Sequence, residues 1–126
     1  MSQLSRIVLI IAMSVLLYVH AEEYYNDEFD NAIDDIDAHL RNDTERTEYH
    51  KCYMNTGPCK PIQKTLTDMF SEAYHTKCKK CTEKQKEIFS SVINWYKKND
   101  PDKWQLIFAK SVEDMKKKAT QKSPAK

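Results

Sequence analysis

The chain has 126 residues, and its 20 lysine and arginine side chains against 19 aspartate and glutamate side chains give a formal net charge of +1. This balance does not favour nucleic acid or another highly charged partner, which would select for an excess of one sign. One glycine and four prolines are too few for the turns of a β-sandwich, whereas charged residues make up 31% of the chain. The composition therefore predicts one all-helical domain.

The first 21 residues are typical of a secretory signal peptide. Arg6 precedes an uncharged apolar run, 7–19, and Ala21 is a small residue at the expected cleavage site. A helix needs about 20 apolar residues to span a bilayer, so a run of this length predicts no stable membrane insertion. Cleavage after Ala21 would remove 21 of the 126 residues and leave 105. We therefore expect a secreted, extracellular protein.

Two helices are predicted in the first part of the remaining chain. The first carries one apolar stripe with spacings of four, three and four, formed by Phe29, Ile33, Ile36 and Leu40. Asn42 is then placed to cap a second helix, with Glu45 in the reciprocal capping position. Tyr49, Cys52 and Tyr53 share one face of this second helix, which stops at the turn 55–58.

Three more helices follow. Pro61 opens a third helix with the densest apolar stripe of the chain, Thr82 and Gln85 form a capping box for a fourth, and Asp100 with Pro101 begins a fifth. The apolar stripe of the third helix consists of Ile62, Leu66, Met69, Phe70 and Ala73. That of the fourth helix consists of Ile88, Val92, Trp95 and Tyr96, and it is widened by Phe89 and Ile93. That of the fifth helix consists of Trp104, Phe108, Val112 and Met115. No apolar period continues beyond Met115, so 116–126 is predicted to be a basic, disordered tail and 22–115 the folded domain.

Four cysteines, Cys52, Cys59, Cys78 and Cys81, have the spacing C-x6-C-x18-C-x2-C. In an oxidising compartment an even number of cysteines predicts two disulfides, for which three pairings exist. The local pairs Cys52–Cys59 and Cys78–Cys81 would each stabilise the fold by about 2 kcal/mol, and crossed pairs by somewhat more. Energy alone does not choose, although short loops close first and favour the local pairs.

Several motifs together resemble the insect chemosensory proteins, the OS-D-like family. Residues 57–59 match its G-P-C turn, 78–86 match its C-x-x-C-T-x-x-Q block almost residue for residue, and 101–104 match its P-D-x-W. Residues 24–31 are similar to its tyrosine-rich opening, which ends in Tyr-Asp-Asn. The resemblance extends over about 24–110.

The resemblance implies six helices around an apolar channel, local disulfides, and reversible binding of long-chain lipids or semiochemicals. It places Tyr49 and Trp104 at the pocket and makes Gln85 a partner for a ligand head group. The chain departs from the family where Lys77 replaces a glycine, and where Ile88 and Phe89 occupy positions that are often small. It also lacks the family's D-P-x-G stretch after the fifth helix. We therefore expect a compact bundle of five to six short helices.

These inferences predict a monomeric carrier of small hydrophobic molecules with no cofactor. The expected ligand contacts are Ile33, Tyr49, Leu66, Met69, Phe70, Gln85, Val92, Trp95, Trp104 and Phe108. Aromatic stripes at helical spacing are more often core than pocket, and the family resemblance is what favours a pocket here. The alternative is a secreted helical interaction or developmental effector that binds an unidentified protein partner through its surface.

Catalytic and metal sites are not favoured. Lysines between Cys78 and Cys81 could activate a thiol, but no βαβ pattern surrounds the pair, and secretion would oxidise it. The first cysteine spacing is too long for a usual zinc site. His39, His50 and His75 lie in no triad context, and we expect them on solvated helix faces. The sequence therefore predicts no enzyme and no metal centre.

Two polar motifs have structural explanations. The aspartates of 34–37 lack the spacing and the glycine of an EF-hand loop, and they are predicted to form a solvated acidic face. Asn42 begins a glycosylation sequon, 42–44, but its predicted role as a helix cap would compete with modification.

Overall fold

The computed structural model describes residues 24–122, which are mostly helical. A 3-10 turn at Asp30–Ala32 precedes five α-helices: α1 (Ile36–Arg41), α2 (Asp43–Tyr53), α3 (Pro61–His75), α4 (Glu83–Asn99) and α5 (Pro101–Lys122). These residues contain no strand and no sixth helix, so the predicted all-α bundle is confirmed with five helices. The predicted signal peptide, 1–21, lies outside the described residues, as does 123–126. Between Tyr24 and Lys122, no helix is both long enough and apolar enough to cross a membrane.

The predicted capping residues begin their helices as expected. The Asn42 side chain accepts a hydrogen bond from the Glu45 N–H at 3.1 Å at the start of α2. The Thr82 hydroxyl accepts from the Gln85 N–H at 3.1 Å, and Gln85 Oε1 accepts from the Thr82 N–H at 3.0 Å. The capping box of α4 is therefore confirmed. At the start of α5, Asp100 accepts from the backbone N–H two residues after Pro101, at 3.2 Å.

The first helix is shorter than its apolar stripe predicted. Ile33 has φ −113° and ψ 81°, which interrupts the helical backbone. Asp35 then caps α1 by accepting from the Ala38 N–H at 3.2 Å. Three of the four residues in the stripe, Ile33, Ile36 and Leu40, nevertheless lie in the core, whereas Phe29 is only half-buried.

The last helix is longer than predicted, and the expectation of disorder from Lys116 is wrong for 116–122. This part of α5 is held by polar contacts rather than by an apolar stripe. Lys117 pairs with Glu113 at 3.0 Å on the same helix, and Lys118 pairs with Glu72 of α3. The apolar periodicity of the sequence does not indicate such ion pairs.

The core forms where α3 packs against α2 and α5, while α1 packs against α2 and α4. Phe70 of α3 lies at its centre, with ring centroids 5.3 Å from Tyr53 and 5.8 Å from Phe89, both edge-to-face. This geometry is favourable for aromatic pairs.

Both disulfides are local, as the family resemblance implied: Cys52–Cys59 and Cys78–Cys81. The first one closes the turn after α2. Gly57 in that turn lies so near the helix that an added Cβ would be 2.9 Å from the Lys51 Cβ. The turn therefore requires glycine.

Helix α3 ends in a Schellman motif with an unusual residue at its left-handed position. The Cys78 N–H donates to the Ala73 carbonyl at 2.7 Å, and the Lys77 N–H donates to the Tyr74 carbonyl at 3.3 Å. This motif usually places glycine where Lys77 stands here with φ 56°. The family's usual glycine at this position thus has a structural reason, and Lys77 adopts a backbone conformation that costs energy for a residue with a Cβ.

Three segments of the chain meet at the carboxylate of Glu72, which is only 8% exposed. The Tyr25 hydroxyl donates to it at 2.9 Å, Lys80 from the loop after α3 lies 3.3 Å away, and Lys118 of α5 completes the cluster. A buried charge with this many partners is compensated rather than isolated.

Candidate hydrophobic cavity

A cavity of about 100 Å³ lies between the five helices. Its wall is mainly apolar, formed by Ile33, Ile36, Leu40, Leu66, Phe70, Ile88, Phe89, Val92 and Ile107. The remaining lining residues carry polar atoms at the end of the side chain or within it: His39, Arg46, Tyr49, His50, Tyr53, Thr67 and Tyr96. A cavity of this composition suits a hydrocarbon chain with at most a small polar group.

Five of the ten predicted ligand contacts line this cavity: Ile33, Tyr49, Leu66, Phe70 and Val92. On α3, Leu66 and Phe70 are four residues apart and therefore share the face that points inward. Tyr49 reaches the same cavity from α2.

The other five predicted contacts lie outside the cavity lining. Met69 is buried, but it precedes Phe70 by one residue and so points about 100° away around α3. Trp95 is turned in the same way relative to Tyr96 and lies under the Arg46 guanidinium, 4.1 Å from its ring centroid. Each of these side chains therefore packs on another surface of its helix.

The two aromatic residues predicted on α5 pack against α3 instead of the cavity. The buried ring of Trp104 is 5.5 Å from that of Tyr74, and the ring of Phe108, which is 38% exposed, is 6.0 Å from it. Ile107 is the residue of α5 that reaches the cavity wall.

Gln85 is completely buried, and its amide is already occupied by the protein. Nε2 donates to the Asn26 carbonyl at 2.9 Å and to Asp30 Oδ1 at 3.0 Å, while Oε1 accepts from the Thr82 N–H in the capping box. The side chain therefore anchors the segment before α1 onto α4. This arrangement leaves no free group for the predicted contact with a ligand head group.

Several lining residues belong to the predicted apolar stripes but were not among the predicted ligand contacts. Ile36, Leu40, Ile88 and Tyr96 were recognised as apolar-face residues but not as ligand contacts. Ile107 is not part of the predicted stripe of α5, which places Phe108 at the inward position.

His50 was expected on a solvated helix face, and that expectation is wrong. It lines the cavity, and its Nδ1 is buried. The other two histidines have polar partners: His39 Nδ1 contacts Glu45 at 2.5 Å, and His75 Nε2 contacts the Ser111 hydroxyl at 2.9 Å. Because the Glu45 carboxylate contacts His39, it does not form the predicted reciprocal cap.

Burial favours the uncharged forms of Tyr49, Tyr96 and His50 in the wall. It raises the pKa of Tyr49 to about 12, with a smaller contribution from Glu45, and raises that of Tyr96 to about 12. Burial also lowers the pKa of His50, assisted by the positive charge of Lys103. At neutral pH these three groups therefore bring no net charge into the cavity.

The positive charge of Arg46 is balanced by its own surroundings. Its guanidinium donates to the Leu40 carbonyl at 2.5 Å and to Asp43 at 2.6 Å. A second depression between α3 and α5 is larger than the cavity but is lined largely by lysines, aspartates and other polar residues. Such a groove is unsuited to hydrocarbon, so the apolar cavity is the candidate site.

The family model described as "Insect pheromone-binding family, A10/OS-D" matches residues 25–119. This chain belongs to that family. Among its relatives, ejaculatory bulb-specific protein 3 of Drosophila melanogaster is 32% identical over 105 residues, which cover 83% of this chain and 82% of that protein.

Solved structures of chemosensory proteins share the fold of this A10/OS-D protein. One, determined in complex with bromo-dodecanol, has 31% identity and a TM-score of 0.64, covering 80% of this chain and 99% of that chain. Another, antennal chemosensory protein A6 from the moth Mamestra brassicae, has 29% identity and a TM-score of 0.58, covering 80% and 97%. The predicted family and fold are therefore confirmed, and the family's description is that of a binding family.

Ile88 and Phe89, the bulky residues noted as departures from the A10/OS-D pattern, both line the cavity. The cavity volume of about 100 Å³ is small beside the ~300–1,000 Å³ of pockets that enclose drug-sized molecules. In this family member, a long ligand therefore requires movement of side chains in the wall.

Proposed function

We propose that this protein is a secreted, monomeric carrier that reversibly binds small hydrophobic molecules in the cavity and performs no chemistry on them. Long-chain fatty acids, alcohols, esters and semiochemicals are the proposed ligands. The observation that carries the proposal is the apolar cavity itself, enclosed by Ile33, Leu66, Phe70 and Val92 in a member of a pheromone-binding family. A related chemosensory protein was solved in complex with bromo-dodecanol, which supports the proposal.

The energetics suit a carrier. Burying about twelve methylene groups at ~0.8 kcal/mol each contributes about 10 kcal/mol of gross binding free energy. Lost translational freedom costs several kcal/mol, and displacement of wall side chains costs more, so the expected affinity is in the micromolar range. A ligand bound with that affinity can also be released.

Displacement of a bound fluorescent probe tests the proposal. N-phenyl-1-naphthylamine should bind to the wild-type protein and be displaced by alcohols or esters with chains of twelve to eighteen carbons. Val92→Trp should abolish this binding, because Val92 is half-buried in the cavity wall and a larger side chain would fill the space. Ile93→Trp is the matched control, since Ile93 is also half-buried but lies outside the cavity lining.

Failure of every chain length to displace the probe from wild-type protein would contradict the proposal. Equal loss of binding in both tryptophan variants would show that the probe binds elsewhere, and would also count against the cavity.

A further inference from the structure

His50 presents a buried, unsatisfied polar atom in a wall that is mainly apolar. Among the buried side-chain nitrogen and oxygen atoms of residues 24–122, its Nδ1 is the one without a hydrogen-bond partner. Buried polar atoms in folded proteins nearly always have a partner, so an exception needs a physical explanation. Because the His50 side chain lines the cavity, a ligand that moves the side chains of the wall can supply that partner.

The groups around His50 come from three helices. Arg46 precedes it by one turn of α2, but the Arg46 guanidinium is committed to the Leu40 carbonyl and to Asp43. The ring of Tyr96 on α4 is 6.3 Å from the His50 ring. Lys103 and Asp100, at the start of α5, act on His50 with opposite signs. Burial is the largest influence and lowers the pKa, so the imidazole is neutral near pH 7.

We propose that His50 Nδ1 forms a hydrogen bond with the terminal hydroxyl of a long-chain alcohol, and that the protein therefore prefers alcohols to ligands of equal length without a hydroxyl. This inference rests on the proposed carrier function and names the ligand class of the same cavity.

The chemistry of the two groups is matched. A neutral imidazole nitrogen either donates or accepts, depending on the tautomer, and a hydroxyl can do both, so an alcohol pairs with either form. A ligand without a polar group would leave Nδ1 without a hydrogen-bond partner and would therefore lack the affinity that this bond adds. A carboxylate would carry a full charge into a mainly apolar cavity, and the Arg46 guanidinium in its wall is already paired with Asp43.

The test measures the affinity of two chain-matched probes, 1-dodecanol and 1-chlorododecane, by displacement of N-phenyl-1-naphthylamine. Wild-type protein should bind the alcohol about tenfold more tightly, as expected for one buried neutral hydrogen bond. His50→Leu should weaken alcohol binding about tenfold and leave the chloride within about twofold. His50→Phe, which keeps a ring at this position, should behave like His50→Leu, whereas His50→Gln should recover part of the preference.

His75→Leu is the matched control, because it makes the same substitution at a histidine outside the cavity lining and should leave the preference intact. An alcohol-to-chloride ratio that is the same in wild type, His50→Leu and His50→Phe would overturn the inference while leaving the carrier function in place. Loss of the preference in Tyr49→Phe instead would also overturn it, by assigning the hydroxyl to Tyr49. Absence of binding of either probe to wild-type protein would remove the carrier function itself.

Discussion

Gln85 Nε2 donates a hydrogen bond to Asp30 Oδ1 at 3.0 Å and so joins the start of α4 to the segment that precedes α1. The same Asp30 carboxylate accepts from the Thr82 hydroxyl at 2.7 Å. The polar residue of the family's C-x-x-C-T-x-x-Q block therefore stabilises the bundle in this chain, and its role differs from contact with a ligand.

Gln85→Ala should lower the free energy of unfolding by about 2–3 kcal/mol, because it removes the buried amide that donates to the Asn26 carbonyl and to Asp30 Oδ1. Urea denaturation checks this value. Folded Gln85→Ala should retain wild-type affinity for 1-dodecanol, since the side chain lies outside the cavity lining. Gln105→Ala, at an exposed position of α5, should change neither quantity. A large loss of affinity in folded Gln85→Ala would instead support the head-group contact.

Lys77→Gly should stabilise the protein by about 0.5–1 kcal/mol. Lys77 has φ 56° at the end of α3, where glycine adopts the left-handed conformation without the steric cost that a Cβ brings. The gain is limited because glycine also increases the entropy of the unfolded chain. Thermal or urea denaturation measures this change. In the same measurement Lys98→Gly, within α4, should lower the free energy of unfolding by up to about 1 kcal/mol. Destabilisation by Lys77→Gly would contradict this account.

Ile88→Ala should enlarge the cavity at a cost of about 2–5 kcal/mol in stability, because it removes a buried side chain from the wall. The relative affinity for sixteen-carbon over twelve-carbon alcohols should rise, since less side-chain movement is then needed. Met69→Ala is the control for a loss of stability alone, because Met69 is buried but lies outside the cavity lining. The Met69→Ala variant should therefore have the same chain-length preference as wild type. An unchanged preference in Ile88→Ala would mean that Ile88 does not limit ligand length.

Alkaline pH should destabilise the protein partly through Tyr96. Burial is the main cause that raises its pKa to about 12, with Asp100 acting in the same direction and Arg46 opposing it. Since the pKa of Tyr96 in the folded protein is above the ordinary tyrosine value of 10.0, the unfolded state releases its proton first. The stabilising contribution is therefore complete below about pH 10 and is lost as the pH rises towards 12.

Tyr96→Phe should reduce the slope of stability against pH above pH 10, as measured by urea unfolding at a series of pH values. Phe108→Leu removes an aromatic ring that has no ionisable group and should leave the slope unchanged. Parallel slopes for wild type and Tyr96→Phe would argue against ionisation of Tyr96 as a cause.

Capping residues in the sequence predicted where α2, α4 and α5 begin. Asn42, Thr82 and Asp100 cap their helices through hydrogen bonds to backbone only three residues away, so sequence spacing determines the contact. The end of α5 was not predictable in this way, because Lys118 pairs with Glu72, a residue on another helix.

Apolar periodicity identified the buried faces but could not distinguish a packed face from a cavity wall. Leu66 and Met69 belong to the same stripe of α3, yet only Leu66 lines the cavity. Trp104 is as buried as Leu66, but its ring packs against Tyr74. Which buried side chain meets a neighbour and which faces a gap depends on how the helices pack together, and that arrangement is not encoded in the spacing of one helix.

The meeting of Tyr25, Lys80 and Lys118 at Glu72 has a consequence for how the molecule opens. Tyr25 lies near the beginning of the described chain and Lys118 near its end, and both contact one carboxylate on the central helix. Fraying of either end would leave a buried charge with fewer partners, which couples the ends to the last turn of α3. Amide hydrogen exchange in α5 and α3 should accordingly be cooperative, with the final turns protected to a degree that an isolated helix terminus does not reach.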